Sequence, residues 1–179
     1  MSYRPITDDW ILARPKLLGG KKYYGAFPAG FLRRARDILG CGLNDPMLHV
    51  CCGHARFYPY KGFGEKDKTI DLNPDVDPDY LMDARDPWPR LAGDGWRAIL
   101  ADPPYSREDA KKYPCGDKAY PEPADILKRA VEVLKFDRKV GILHYHWVKP
   151  VKGLRSVAVI TIYVGFGNKP RTLSVFSKE

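Results

Sequence analysis

The chain has 179 residues, 44% hydrophobic and 29% charged, the balance of one soluble globular domain rather than a disordered tail. No apolar run is long enough to span a bilayer, the opening Met-Ser-Tyr-Arg-Pro lacks the apolar core of a secretory signal, and Cys41, Cys51, Cys52 and Cys115 form no disulfide framework, so a reducing, cytoplasmic setting is expected. The net charge of +8 is unevenly placed, with +5 in residues 1–40, −4 in residues 41–137 and +7 in residues 138–179, a basic frame suited to a polyanion around an acidic middle suited to something cationic.

No repeat or low-complexity linker divides the chain, so residues 1–179 are expected to form a single domain. Residues 1–24 hold two prolines and a Gly-Gly pair and are expected to lie over the core as an arm. A helix follows from Ala29 to Leu39, with Phe31, Leu32, Ala35, Ile38 and Leu39 on one face and Arg33, Arg34 and Arg36 pointing elsewhere. Met47 to Gly53 reads as a buried strand ending in glycine. Thr69 to Leu72 is a second strand, and Trp96 to Ala101 a third, closed by Asp102-Pro103-Pro104-Tyr105. A basic loop from 106 to 123 carries Arg107, Lys111, Lys112, Tyr113 and Lys118. A helix from Ala124 to Leu134, a strand from Val140 to Tyr145 and a closing hairpin of Val157–Val164 with Thr172–Phe176 complete the chain. This order predicts an α/β fold, a Rossmann-like, mostly parallel sheet with helices on both faces and a C-terminal antiparallel β-hairpin. Ligands of such sheets bind beyond the carboxyl ends of the strands, where Cys52, Asp71, Asp83 and Asp102 all fall.

Asp102-Pro103-Pro104-Tyr105 carries the sharpest chemical signal. An exocyclic amine on a base is a poor nucleophile because its lone pair is delocalised into the ring. The Asp102 carboxylate and the Pro103 carbonyl can accept its two N–H bonds and favour the tetrahedral form, whose lone pair points at an incoming methyl group. The two prolines stiffen the backbone that holds these acceptors, and Tyr105 offers a flat face to a base. Upstream, Gly53 lets a ligand approach the backbone. Asp71 lies 18 residues beyond it, near the roughly 20-residue spacing at which an acid reaches a ribose hydroxyl in nucleotide folds. Asp83 is placed to bind an adenine amino group.

Together, LHVCCG, TIDLNP, MDARDPWP and ILADPPY resemble the class I S-adenosylmethionine-dependent methyltransferases, in the branch that modifies adenine N6 or cytosine N4 in DNA. The resemblance runs from about Lys22 to Phe176 in the family's order. It implies S-adenosyl-L-methionine as cofactor. Tyr24, Phe27 and Pro28 would lie at its methionine end, His49, Cys51, Cys52 and Gly53 in the cofactor loop, Asp71 and Leu72 at the ribose, and Asp83 and Ala84 at the adenine. Asp102, Pro103, Pro104 and Tyr105 would be catalytic. The chain departs from the family in having His49 where an acid is common and Gly53 as the loop's only glycine. Pro59, Gly62 and Gly64 also stand where the next helix belongs, which predicts a short helix or none.

The expected activity is methyl transfer to a nucleobase amine, with nucleic acid as partner and DNA ahead of RNA. Target recognition would be short, relaxed or supplied by an accessory recognition protein. The alternatives are an RNA-base or protein-amide methyltransferase of the same fold, or a non-catalytic nucleic-acid-binding module without cofactor affinity. No metal is expected, because His49, Cys51, Cys52 and His54 lack closed-site spacing. Trp88 reads as a core aromatic or a cofactor contact, and His144 to Trp147 as strand-end packing or the wall of a base pocket. Arg33, Arg34, Arg36, Lys149, Lys152, Arg155, Lys169 and Arg171 read as a nucleic-acid face or as solvated surface.

Overall fold

The computed structural model describes residues 4–15, 27–113, 120–165 and 167–179; Tyr24, Cys115 and Lys118 lie outside them. In chain order the elements are β1 (Ile6–Leu12), α1 (Phe31–Leu39), β2 (Met47–Val50), β3 (Lys68–Asp71), β4 (Tyr80–Leu81) and β5 (Ala98–Ala101). Then come a single turn α2 (Arg107–Ala110), α3 (Pro123–Val133), β6 (Lys139–His144), β7 (Leu154–Val164) and β8 (Arg171–Lys178). All eight strands join one sheet in the order β1-β7-β8-β6-β5-β2-β3-β4.

The continuous apolar runs form the central strands. Every residue of β2 and β5 is buried, as parallel strands covered on both faces require. Ala98 and Leu100 turn to a core built with α1, while Ile99 and Ala101 turn to a core built with α3, so the two helices cover opposite faces. β8 runs antiparallel between β6 and β7, with Thr172 opposite His144 and Arg171 opposite Ile162. The expected hairpin is formed by β7 and β8, and its second strand rather than its first pairs with β6.

The N-terminal segment differs from the expected arm: β1 pairs in parallel with β7 along seven residues and forms one edge of the sheet. Trp10 and Leu12 bury one side of it under α1, and Trp10 meets Phe31 edge to face. Among the described residues no helix is long and apolar enough to cross a membrane.

Arg36 also departs from expectation. It lies on the buried side of α1, where it donates to the carbonyls of Gly62 and Gly42 (2.6 Å each) and pairs with both oxygens of Asp67. It therefore drops out of the surface basic group. Asp67 also accepts from the backbone N–H groups of Met47 (3.1 Å) and Gly64 (2.9 Å) and lies 2.9 Å from His49 Nε2. Burial pushes the Asp67 carboxyl up, but His49, Arg36 and the Gly64 N–H outweigh it, so the group sits below its ordinary value.

The predicted loss of the helix after β2 is seen as a three-residue 3-10 turn, Ala55–Phe57, followed by a loop that packs directly on α1. Gly62 makes this approach feasible. A Cβ there would stand 2.5 Å from Leu32 Cβ and 2.7 Å from the Arg33 nitrogen, at a φ of +142°. Gly62→Ala is expected to destabilise the fold by about 2–3 kcal/mol, because helix backbone rather than a mobile side chain must give way. Urea unfolding tests this, and an unchanged midpoint would show that the loop lifts freely off α1.

Candidate active site

The site is built where the parallel strands end. Beyond β2 the ladder continues by one bond, from Cys51 N–H to the Ile70 carbonyl (2.9 Å), and the chain then turns sharply. Cys51 has a φ of 53° and Gly53 one of 51°, both in the left-handed region. A side chain in this conformation costs about 1 kcal/mol, which explains why a turn of this kind favours glycine at the first position as well. A Cβ on Gly53 would meet nothing within 4 Å, so the backbone faces open space. Asp71 closes the turn from the neighbouring strand. Its Oδ2 accepts from Gly53 N–H (3.2 Å) and its Oδ1 from Asn73 N–H (2.9 Å), which leaves each oxygen a further lone pair. Burial raises its carboxyl above the ordinary value despite these donors.

Asp83 follows β4 and is fixed by Arg85, whose backbone N–H (2.8 Å) and Nε (2.9 Å) reach one oxygen while the other takes its terminal nitrogen (2.6 Å). These bonds hold the Asp83 carboxyl below its ordinary value. Asp102 follows β5 and is anchored through its backbone N–H to the Val50 carbonyl (3.0 Å). Its Oδ1 accepts the Tyr105 hydroxyl at 2.7 Å. Burial pushes the Asp102 carboxyl up to about 6, with Arg171 and the Tyr105 hydroxyl pulling it back. Burial and the Asp102 charge in turn raise the Tyr105 phenol, which stays a neutral donor.

One side chain shows how close these acids come. The Cys51 thiol is held well above its ordinary value first by burial, then by the charges of Asp71, Asp102 and Asp83. Three carboxylates, at the ends of three different strands, thus act on one loop. The structure brings together Cys51, Gly53, Asp71, Asp83, Asp102 and Tyr105 from the expected set.

The others fall elsewhere. The His49 ring has no exposed surface, lies against Phe63 and is engaged by Asp67, so it cannot reach a ligand in the loop and is corrected to a core residue. Cys52 turns its thiol inward to the carbonyls of Val50 (3.2 Å) and Leu100 (3.4 Å). Phe27 is buried and stacks on Phe31, and the Pro28 carbonyl takes the Tyr58 hydroxyl, so neither presents a side chain at the rim. Ala84 is buried, with its carbonyl accepting the Trp88 indole N–H, and Trp88 is a core aromatic. Leu72 is half-buried beside Asp71.

The structure adds Arg171 and Lys169, read from sequence as a nucleic-acid face or solvated surface, and Tyr145 and His144, read as strand-end packing or the wall of a base pocket. Arg171 opens β8 and lies over the Tyr105 ring, 5.6 Å from its centre, so the face expected to receive a base is shared with a guanidinium. Tyr145 meets Tyr105 edge to face at 4.5 Å, and Lys169 stands over Tyr145 at 5.5 Å. His144 is buried against Tyr105, and its ring nitrogens make no well-formed hydrogen bond. Burial and the neighbouring His146 push His144 down to about 4. The signal for Arg171 was its antiparallel register beside β6, which is invisible until the last strand is known to insert there.

No protein-family model matches the chain, and no curated protein matches it in sequence. Solved structures do match in fold. TrmN from Thermus thermophilus superimposes with a TM-score of 0.60 at 15% identity, over 87% of this chain and 50% of that one. The fold is a methyltransferase fold. The chain spans half the length of TrmN. The N-methyltransferase NodS from Bradyrhizobium japonicum, in complex with S-adenosyl-L-homocysteine, superimposes with a TM-score of 0.51 at 11% identity, over 84% of this chain and 88% of that one. In this methyltransferase fold the open loop at Gly53, Asp71 and Asp102 sit together at the carboxyl edge of the sheet.

Proposed function

We propose that the protein is an S-adenosylmethionine-dependent methyltransferase acting on an exocyclic amine of a nucleobase, adenine N6 or cytosine N4, in DNA ahead of RNA. The observation that carries this reading is Asp102, a desolvated carboxylate at the end of a central strand, set in a Pro-Pro turn and bonded by Tyr105. The residues present fit the cofactor. Gly53 leaves space for a ligand against the loop backbone, Asp71 keeps lone pairs for hydroxyl groups, and three carboxylates favour a cation. Asp71 and Asp83 would hold the nucleoside part, and the Cys51–Gly53 turn would face the amino-acid part. When bound, the cofactor supplies a methyl group already activated on a sulfonium.

The protein's own work is then to align the acceptor. The free lone pairs of Asp102 and the Pro103 carbonyl take the amine's N–H bonds, and the prolines keep these acceptors from relaxing toward water. Tyr105 fixes the carboxylate by its hydroxyl rather than by moving a proton. Arg171 keeps Asp102 ionised near neutral pH, the state in which it can accept. NodS, an N-methyltransferase of the same fold, supports the reaction class.

Calorimetry with S-adenosylmethionine, followed by tritiated methyl transfer to single-stranded DNA, duplex DNA, total RNA and protein, tests the reading. Cofactor binding with label in DNA is the expected result. Label only in RNA or protein would replace the substrate and keep the chemistry. An absence of binding at millimolar cofactor would overturn the enzyme and leave a nucleic-acid-binding module.

A further inference from the structure

Trp147 is the odd tryptophan of this chain. Trp10, Trp88 and Trp96 are buried, and each gives its indole N–H to a partner: the Asp8 side chain, the Ala84 carbonyl and the Pro89 carbonyl. Trp147 is 44% exposed, and among the described residues its indole makes no hydrogen bond and no ring contact. It is not on a loose tip. The loop is pinned on one side by buried His144 at the end of β6 and on the other by buried Val148, whose N–H donates to Ser174 Oγ at 3.1 Å. The loop therefore holds an apolar ring out into water, two residues along the chain from Tyr145, which is itself 38% exposed and touches the catalytic Tyr105.

Two cations lie over the neighbouring rings of Tyr145 and Tyr105. Many of the chain's basic groups pair with carboxylates, as in Arg56 with Asp79 or Arg129 with Glu132. Lys169 and Arg171 instead rest over the Tyr145 and Tyr105 rings, and neither forms an ion pair among the described residues. Arg171 feels Asp102 without pairing to it. Aromatic surface interleaved with cations that form no ion pair among the described residues, beside the catalytic acid, matches what an unpaired nucleic-acid strand offers: base faces to stack and phosphates between them. A duplex presents its phosphates but keeps its base faces stacked away.

We propose that Tyr145, Trp147, Lys169 and Arg171 form the docking strip for a single-stranded nucleic-acid segment, in which a base flanking the target stacks on Trp147 and the phosphates beside it pair with Lys169 and Arg171. This rests on the nucleobase reading of the site and narrows it to unpaired strands.

All four tryptophans emit, but the other three are buried, so quenching by direct contact with a bound base reports on Trp147. Titration of the full chain with a short oligodeoxyadenylate is expected to quench part of the emission, with the matching oligoriboadenylate and the DNA duplex as further arms. Trp147→Leu should remove the quench and weaken binding, read by anisotropy of a labelled strand, by about tenfold. Lys169→Gln should lower the slope of log affinity against log salt by about 0.7, and Lys169→Arg should restore it. Quenching that survives Trp147→Leu, a salt slope unchanged by Lys169→Gln, or a duplex bound as tightly as a single strand would each overturn the strip. These measurements use neither cofactor nor methyl transfer. A chain that binds strands but fails to bind S-adenosylmethionine would keep the strip and lose the enzyme, and the reverse result would do the opposite.

Discussion

Asp67→Ala is expected to lower stability by about 3–5 kcal/mol, which is a large share of the ~5–15 kcal/mol that holds a typical domain together. The carboxylate is wholly buried and is, among the described residues, the counter-charge of the Arg36 guanidinium, which is buried with it. Removing it leaves a buried cation without solvent or counter-charge, and also strips an acceptor from His49, Met47 N–H and Gly64 N–H. For comparison, Glu132→Ala removes an exposed partner of Arg129 and should change stability by less than about 1 kcal/mol. The pH dependence has a definite sign. The folded carboxyl lies below its unfolded value, so the stabilisation is present above about pH 4 and fades as pH falls through the folded value. Urea unfolding of both chains at pH 7 and in acid measures this. Asp67→Leu combined with Arg36→Met should recover part of the loss, since it buries no unpaired charge. An Asp67→Ala variant as stable as the parent chain would mean that Arg36 finds water when its partner is removed.

This cluster also shows where sequence reading stops. Arg36 lies four residues after Leu32 and three before Leu39, so helical spacing alone puts it on the buried face; its charge argued the other way. The deciding partner lies 31 residues on, in a loop with no pattern of its own. His49 is a similar case, since it occupies the position of a family acid yet turns toward Asp67. β1 was hidden because its outer face meets solvent: Thr7, Asp9 and Ile11 are exposed, and only Trp10 and Leu12 carry the inward alternation. The central strands were legible because burial on both faces demands uninterrupted apolar runs. The acids at their ends were legible because polar residues there cannot be core. What failed to show was anything set by register, above all Arg171, whose place over Tyr105 follows from the last strand's insertion beside β6.

Asp102→Asn should abolish most of the activity and yet stabilise the protein. Asn keeps an oxygen to accept the Tyr105 hydroxyl, so the turn should hold its shape, but its amide nitrogen cannot accept from a substrate amine. Loss of one preorganised acceptor of this kind lowers kcat by about 10²–10³-fold. Stability moves the other way. Burial lifts the Asp102 carboxyl to about 6, above the unfolded value, so ionising it penalises the folded state. The penalty is absent below about pH 4, grows between about 4 and 6, and is complete above that, where Asn should be more stable by about 2 kcal/mol. Activity of the parent chain should follow the same ionisation, falling as pH drops through about 6 because the protonated carboxyl no longer accepts. Thermal unfolding of both chains across this range, beside methyl transfer, tests the pairing. An Asn variant that is inactive but no more stable at pH 7 would mean that Asp102 is solvated in the resting protein. One that is active would remove Asp102 from the mechanism. The expected result, lost transfer with gained stability, marks a carboxylate that the fold holds in a desolvated place at its own expense, which is how a group kept for chemistry differs from Asp67, a group kept for the fold.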